Sequence, residues 1–553
     1  MKNKLFRPAA ALLPLLCALL SSCSGLMDTS PSIDVDKRLI LKDASSMQVA
    51  MDGIYSTMYR RIDFVTANAH QCFGNMAVTL AADLMGDDMV QTAQGPGWFW
   101  KDYTYEQRQR YTAKIWRCYF TWKYFYEIIG NCNYILSAVA AAEGDRAVIG
   151  DVAAQALAAR AFAYFMLIQS YQQTYVGHEE LPGVPVYTEA TGTDVGGKPR
   201  GTVRATYRQI NADLDEALRL FRETSRPRAH ISHLDSCSTL LLQARVALVQ
   251  NDWAKAEKAC RSILSGSKAR LLTREEATVV KGTYDDADAK NWTTGTTPFN
   301  SVESPCVLWG AQVLSDQGQQ IAYSSFYSHM DACTDIYYAT ESPKCISNWL
   351  YAQISGTDIR KGWWNGNIGR PRSEWKGGAN LDYNQFKFQW ADQKTYLGDY
   401  IFMRMEEVYL VLAEALCRQA RYTEARDILW ELLSRRDTDP TLRATLDGLS
   451  GNIQTFSTTG TVATLLDEIL LQRRIELWGE TGRIFDILRL AKGWTRYWEL
   501  PGGEVSNHSE YLEKYPEYLA FPADFRECIL MIPQAEIDNN PMITSNDQNP
   551  YVQ

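Results

Sequence analysis

Arginine, glutamate and aspartate recur through residues 472–489, where Arg474, Glu476, Glu480, Arg483, Asp486 and Arg489 stand among Ile475, Trp478 and Ile484. Two chemistries fit that spacing. In an open cleft, Glu476 or Glu480 beside Arg483 could move a proton. Packed between two helices, the same charges pair at three- and four-residue intervals and lock the helices together. The interleaved large apolar side chains favour the lock, with Gly479 and Gly482 as the break between the helices. Other reactive arrangements fail on their spacing. Asp285, Asp286 and Asp288 begin like a calcium loop but lack its glycine and closing glutamate. His230 and His233 have no third ligand near them, so no zinc site is expected. No phosphate-binding glycine loop or nucleophile elbow occurs, and no cofactor is implied. Among 65 acidic residues, the carboxylate pair of a glycosidase is a matter of spatial separation that spacing does not reveal.

The chain start carries a different chemistry. Lys2, Lys4 and Arg7 precede a 12-residue apolar run ending at Leu20, followed by Ser21-Ser22-Cys23. This is the layout of a secretory signal. As a helix the run spans about 18 Å, short of the roughly 30 Å hydrocarbon core, so it does not read as a membrane span. The Leu-Ser-Ser-Cys box is similar to the bacterial lipobox, which would place lipid on Cys23 after removal of residues 1–22. Several acyl chains make such an anchor stable where one is marginal. Residues 23–45 then read as anchor and tether. Membrane attachment is expected through this lipid alone.

A formal net charge of −9 and a pI of about 5.4 argue against a nucleic-acid binder. The 16 Trp and 30 Tyr are an unusual content; some belong to the core, but polar-tipped aromatics are also the material of ligand-binding surfaces. Of the 12 cysteines, Cys118 and Cys132 fall on one helix about 21 Å apart and cannot bridge. Cys333 and Cys345, flanking a loop-like segment, are the better pair.

Helical periodicity covers 46–60, 112–142, 151–171, 206–221 and 465–478. Two further segments, 236–264 and 406–433, each show two apolar helical patterns, and they align without a gap. Ala244 falls on Ala413, Trp253 on Tyr422, Ala256 on Ala425 and Leu264 on Leu433. This is the spacing of tetratricopeptide hairpins, in which alanine allows close helix approach and the aromatic plugs the turn. The expected organisation is an N-terminal helical part over 46–268, an irregular Trp-rich insert over 269–399, and C-terminal hairpin helices with a closing segment over 400–553. Residues 46–553 are expected to form one unit.

The string at 472–489 resembles the hallmark of the SusD/RagB family of outer-membrane nutrient-binding lipoproteins. Arg404-Met-Glu-Glu-Val-Tyr-Leu-Val-Leu-Ala-Glu-Ala415 is similar to a family helix, and Leu181-Pro-Gly-Val-Pro-Val186 to a family turn. The ending Ile532-Pro-Gln-Ala-Glu-Ile-Asp-Asn-Asn-Pro541 with Gln548-Asn-Pro-Tyr551 resembles the family's closing motif. The resemblance implies a mostly α fold: a SusD-like α-α superhelix of tetratricopeptide-like hairpins with an irregular, loop-rich ligand-binding insert. It implies an oligosaccharide or sometimes a peptide ligand, a SusC-like TonB-dependent outer-membrane barrel as partner, an extracellular position, and no catalysis. It also implies an aromatic pocket drawn from an early loop and the insert. Here the early loop runs from Asp87 to Trp100, and its glycines and proline are expected to expose Trp98 and Trp100. The insert offers Trp292, Tyr337, Trp349, Trp363, Trp364 and Trp375; of these Trp292, Tyr337, Trp363 and Trp364 are the stacking candidates. The alternative is a surface tetratricopeptide scaffold that binds protein partners or peptides.

Overall fold

The computed structural model describes residues 41–63, 66–106, 116–192, 196–282, 295–317, 324–331, 339, 341–369, 381–392, 394–512, 519–523 and 525–549. The signal segment, Cys23, Trp292, Tyr337, Trp375, Cys333 and the acidic run at 285–288 lie outside the described residues.

Helix starts follow side-chain caps that supply acceptors to otherwise unpaired backbone N–H groups. Helix α1 (Ala44–Thr57) begins with a capping box in which Asp43 accepts from the Ser46 backbone N–H at 2.8 Å. Next come α2 (Asn75–Leu84) and strand β1 (Met89–Gln91). The long helices α3 (Trp116–Ala138) and α4 (Arg146–Tyr171) pack along each other. Helix α4 starts five residues earlier than its apolar spacing predicts, because Asp145 caps it by accepting from Ala147 N–H at 2.8 Å. By length and hydropathy α4 could cross a bilayer, yet 94% of its most apolar window is buried inside the protein, which makes it a core helix.

Helix α5 (Val203–Thr224) leads to the first hairpin, α6 (Ser236–Val249) and α7 (Trp253–Gly266). The second hairpin is α8 (Met405–Arg418) and α9 (Tyr422–Leu433). The equivalence holds to the backbone. Asn251 and Ala420, which the gapless alignment superposes, both turn through the left-handed region at φ 57° and 58°. The hairpins stack on one another through α7 and α8, and Arg421 Nη1 lies 2.6 Å from Glu257 Oε2 across the junction. Helices α10 (Leu465–Glu476) and α11 (Arg483–Leu490) complete the scaffold.

The chain between α7 and α8 is stitched to the scaffold by strands. Strand β2 (Val307–Ala311) pairs antiparallel with β4 (Tyr400–Arg404), the strand that feeds α8. Strand β3 (Lys344–Ile346) pairs antiparallel with β1, setting Val90 opposite Cys345. A large aromatic core fills the space between, with Trp309, Trp363 and Trp390 almost wholly buried. The fold is mostly α, a tetratricopeptide-like superhelix that carries short two-stranded ribbons.

Candidate functional site

The charged string at 472–489 folds into a buried network. Glu476, without solvent exposure, accepts from Arg404 Nη1 at 2.8 Å and from Arg436 Nε and Arg360 Nη1 at 3.2 Å each. Its backbone carbonyl takes Arg404 Nη2 and Lys387 Nζ. Burial alone would raise its pKa. The guanidiniums of Arg436, Arg404 and Arg360 outweigh that and hold the carboxyl well below the usual range. Glu480 pairs with Arg404 at 2.7 Å and with Lys387. Asp486 is clamped between Arg473 at 2.8 Å and Arg489 at 2.6 Å, and Arg489 reaches on to both oxygens of Glu414. The break between the helices requires glycine: Gly479 and Gly482 adopt φ of 77° and 75°, and a Cβ on Gly479 would meet Phe388 at 2.6 Å. These carboxylates are enclosed and paired, which suits them to hold two helices and an insert together rather than to meet a substrate.

The same network positions the early loop. Asp87 and Asp88 follow α2 and are gripped by Arg483 and Arg474, with 2.8 Å between Arg483 Nε and Asp87 Oδ1. Beyond β1 the chain turns through Gly95 and Gly97 at φ 51° and 97°, leaving Gln94 to Pro96 exposed at the tip. Phe99 takes a left-handed conformation, φ 58°, fixed by donation of its N–H to Gln71 Oε1 at 2.7 Å. The rings on either side of that turn are buried. Trp98 is 8% exposed and Trp100 6%, so the glycines shape the loop without exposing either ring to solvent. Trp98 lies just beneath the tip, edge to face with the half-buried His70 at 6.0 Å.

Trp363 and Trp364 are also buried, at 0% and 2% exposure. Trp363 donates its indole N–H to Ala277 O at 2.9 Å and packs edge-on against Phe299 at 5.0 Å. Trp364 meets Trp478 of the motif at 5.6 Å. The expectation of loop-presented rings is thereby corrected for this pair. Their environment is the seam between insert and motif helix, where adjacent apolar surface removes them from water. The sequence hides this because the partners, Ala277, Phe299 and Trp478, are far from them along the chain.

His230 and His233 serve local contacts, His230 with Gln312 at 3.1 Å and His233 with Asp52 at 3.0 Å. No group of three or more metal-ligating side chains occurs among the described residues. A separate concavity opens on the outer face of α3, lined by Tyr119, Trp122, Tyr126, Tyr187 and Glu536. Its residues are not among the candidates that the sequence points to. Its signal was a set of aromatics at three- and four-residue spacing on a helix that also carries Gly130.

Stacked helix hairpins strapped by an irregular insert and cross-linked by buried ion pairs define a tetratricopeptide-like scaffold. A family model described as the SusD family matches residues 371–551. A second, described as starch-binding associating with outer membrane, matches residues 41–248. The chain belongs to the SusD/RagB family. Solved structures agree in fold. A SusD-like carbohydrate-binding protein from Bacteroides vulgatus is 23% identical with a TM-score of 0.71, covering 93% of this chain and 99% of that one. A SusD superfamily protein from Bacteroides thetaiotaomicron is 20% identical with a TM-score of 0.68, covering 92% of this chain and 100% of that one. Surface glycan-binding protein A from the same organism, solved in complex with laminarihexaose, is 16% identical with a TM-score of 0.59, covering 91% of this chain and 99% of that one. No curated protein matches the sequence.

Proposed function

We propose that this chain is a non-catalytic glycan-binding lipoprotein of the outer membrane, anchored through Cys23, that hands oligosaccharide to a SusC-like TonB-dependent barrel. Family membership over both ends of the chain supports the reading, as does the glycan complex of a relative with the same fold. The observation in this molecule that carries it is the early loop. A turn hinged by Gly95 and Gly97 projects a polar tip, Trp98 lies directly under it, and Asp87 and Asp88 tie the loop to α10 and α11. A loop held in place, with one aromatic at the base of an exposed turn, is suited to meet the edge of a sugar ring. The test is calorimetry of the full chain, solubilised in detergent, against a panel of oligosaccharides that includes laminarihexaose, with short peptides in parallel. Saturable binding of an oligosaccharide supports the reading. Binding of peptides alone, or of nothing, overturns it.

A further inference from the structure

The outer face of α3 carries a cavity that the early loop does not reach. It encloses about 390 Å³, within the roughly 300–1,000 Å³ of small-molecule sites. Its wall is aromatic. Trp122 and Tyr126 stand one turn apart with ring centroids 4.9 Å from each other, and Tyr187 meets Tyr126 edge-on at 6.0 Å to close a corner. Tyr119 extends the wall by one turn towards the helix N-terminus.

The polar tips of these rings are tied down, and Trp122 is left 5% exposed at the wall. Trp122 donates its indole N–H to Glu536 Oε2 at 3.1 Å, and Asn540 donates to the other Glu536 oxygen at 2.7 Å. Tyr126 donates its hydroxyl to Pro185 O at 2.8 Å, and the Tyr187 hydroxyl accepts from Lys198 N–H at 2.9 Å. Rings held this way lose little freedom when a ligand arrives. Tyr119, Tyr126 and Tyr187 are each only partly buried.

The floor is Gly130, inside a helix, where glycine costs about 1 kcal/mol relative to alanine. Many glycines in this protein answer to a positive φ or to a neighbour that a side chain would strike, though some, such as Gly53 inside α1, do not. Gly130 answers to neither: its φ is not in the left-handed range, and a Cβ built there meets nothing within 4 Å. What the missing side chain leaves is open floor beneath the aromatic wall.

The rim decides the ligand class. Glu127 and Glu536 place carboxylate oxygens beside the rings, which suits hydroxyl donors. Lys123 stands 3.7 Å from Glu127 and over the Tyr119 ring at 5.9 Å, so the rim already holds its own cation and does not favour a second. Apolar ring faces for C–H groups, with charged acceptors and a donor at the edge, match a sugar ring. We propose that this cavity is a second carbohydrate-binding site that takes one neutral monosaccharide unit of a glycan. The proposal rests on the glycan reading above.

Gly130→Leu fills the floor and should keep or raise the melting temperature, because leucine favours the helix. Tyr119→Ala removes a partly exposed wall without touching the core. Calorimetry of the full chain with the same oligosaccharide panel, and saturation-transfer NMR with methyl glycosides of glucose, galactose, mannose and N-acetylglucosamine, read the site. The expected result is that both variants lose the methyl-glycoside signal and bind the best oligosaccharide about tenfold more weakly or with one fewer site. Wild-type stoichiometry and affinity in both variants overturns the second site but leaves the glycan reading standing. Failure of the unmodified chain to bind any panel member overturns both.

Discussion

Arg474 Nη2 lies 2.6 Å from Asp88 Oδ1, a contact that joins residues 386 positions apart and fastens the motif helix to the base of the early loop. Arg474 also donates to the carbonyls of Ser457 and Thr458, so it closes three segments around one guanidinium. Arg474→Ala would leave two buried aspartates sharing Arg483. Removing one partner of a buried pair costs about 3–5 kcal/mol, and urea unfolding should show a loss of that size. Amide exchange across residues 89–99 should accelerate along with it; a loop that stays protected would show that something else holds it.

Glu476→Gln tests the network at its centre. Arg360, Arg404 and Arg436 each retain another carboxylate, at Asp358, Glu480 and Glu406, yet lose the charge on which they converge. A loss of about 3–5 kcal/mol is expected. A variant as stable as the parent would show that neutral hydrogen bonds suffice at this position.

His508 predicts part of the pH dependence. The Asp87 carbonyl, 3.1 Å from Nε2, can only accept, so Nε2 carries the proton and Nδ1 accepts from the Tyr103 hydroxyl at 2.7 Å. Burial, with Arg496 nearby, pushes the pKa of the ring from 6.5 down to about 3. A depressed base binds its proton more readily unfolded than folded. Its stabilising contribution is therefore complete above pH 6.5 and declines as the pH falls from there towards about 3. Between about pH 7.5 and about pH 5 this one group should account for about 2 kcal/mol of lost stability. In His508→Gln, unfolding free energies measured at both pH values should differ by correspondingly less, whatever the substitution does at neutral pH.

Trp98 and Trp363 should separate binding from stability. Trp98→Ala is expected to weaken oligosaccharide binding at least about tenfold, a change of about 1.4 kcal/mol. Trp363→Ala removes a fully enclosed indole and the donor to Ala277 O, and should cost about 3–5 kcal/mol of stability. Affinity of the folded fraction should survive it. Calorimetry and chemical unfolding on the two variants read this contrast, and the opposite pattern would move the ligand to the insert seam.

Cys23→Ala tests the anchor. The variant should bind oligosaccharide in solution as the parent does and fail to support uptake by cells that carry it as their sole copy. Normal uptake would mean that delivery to a transporter does not depend on the lipid.

Some features follow from residue order alone. The hairpins were legible because Ala244 and Ala413, and Trp253 and Tyr422, report a local geometry that each helix pair makes for itself; even their turn residues, Asn251 and Ala420, share one conformation. The motif's charges were legible as partners because helical spacing is short-range. Which charges meet was not. Glu476 joins Arg360, Arg404 and Arg436 from three different segments, and nothing along the chain measures those separations. The exposure of the tryptophans is not legible along the chain for the same reason: glycine and proline mark a turn, but whether Trp100 or Trp364 then faces solvent depends on which distant apolar surface closes over it. The cavity on α3 is likewise tertiary, because Tyr187 and Glu536 reach Trp122 and Tyr126 only after the chain has folded back on itself. Local periodicity and caps determined the elements, and long-range burial decided which side chains remain available to a ligand.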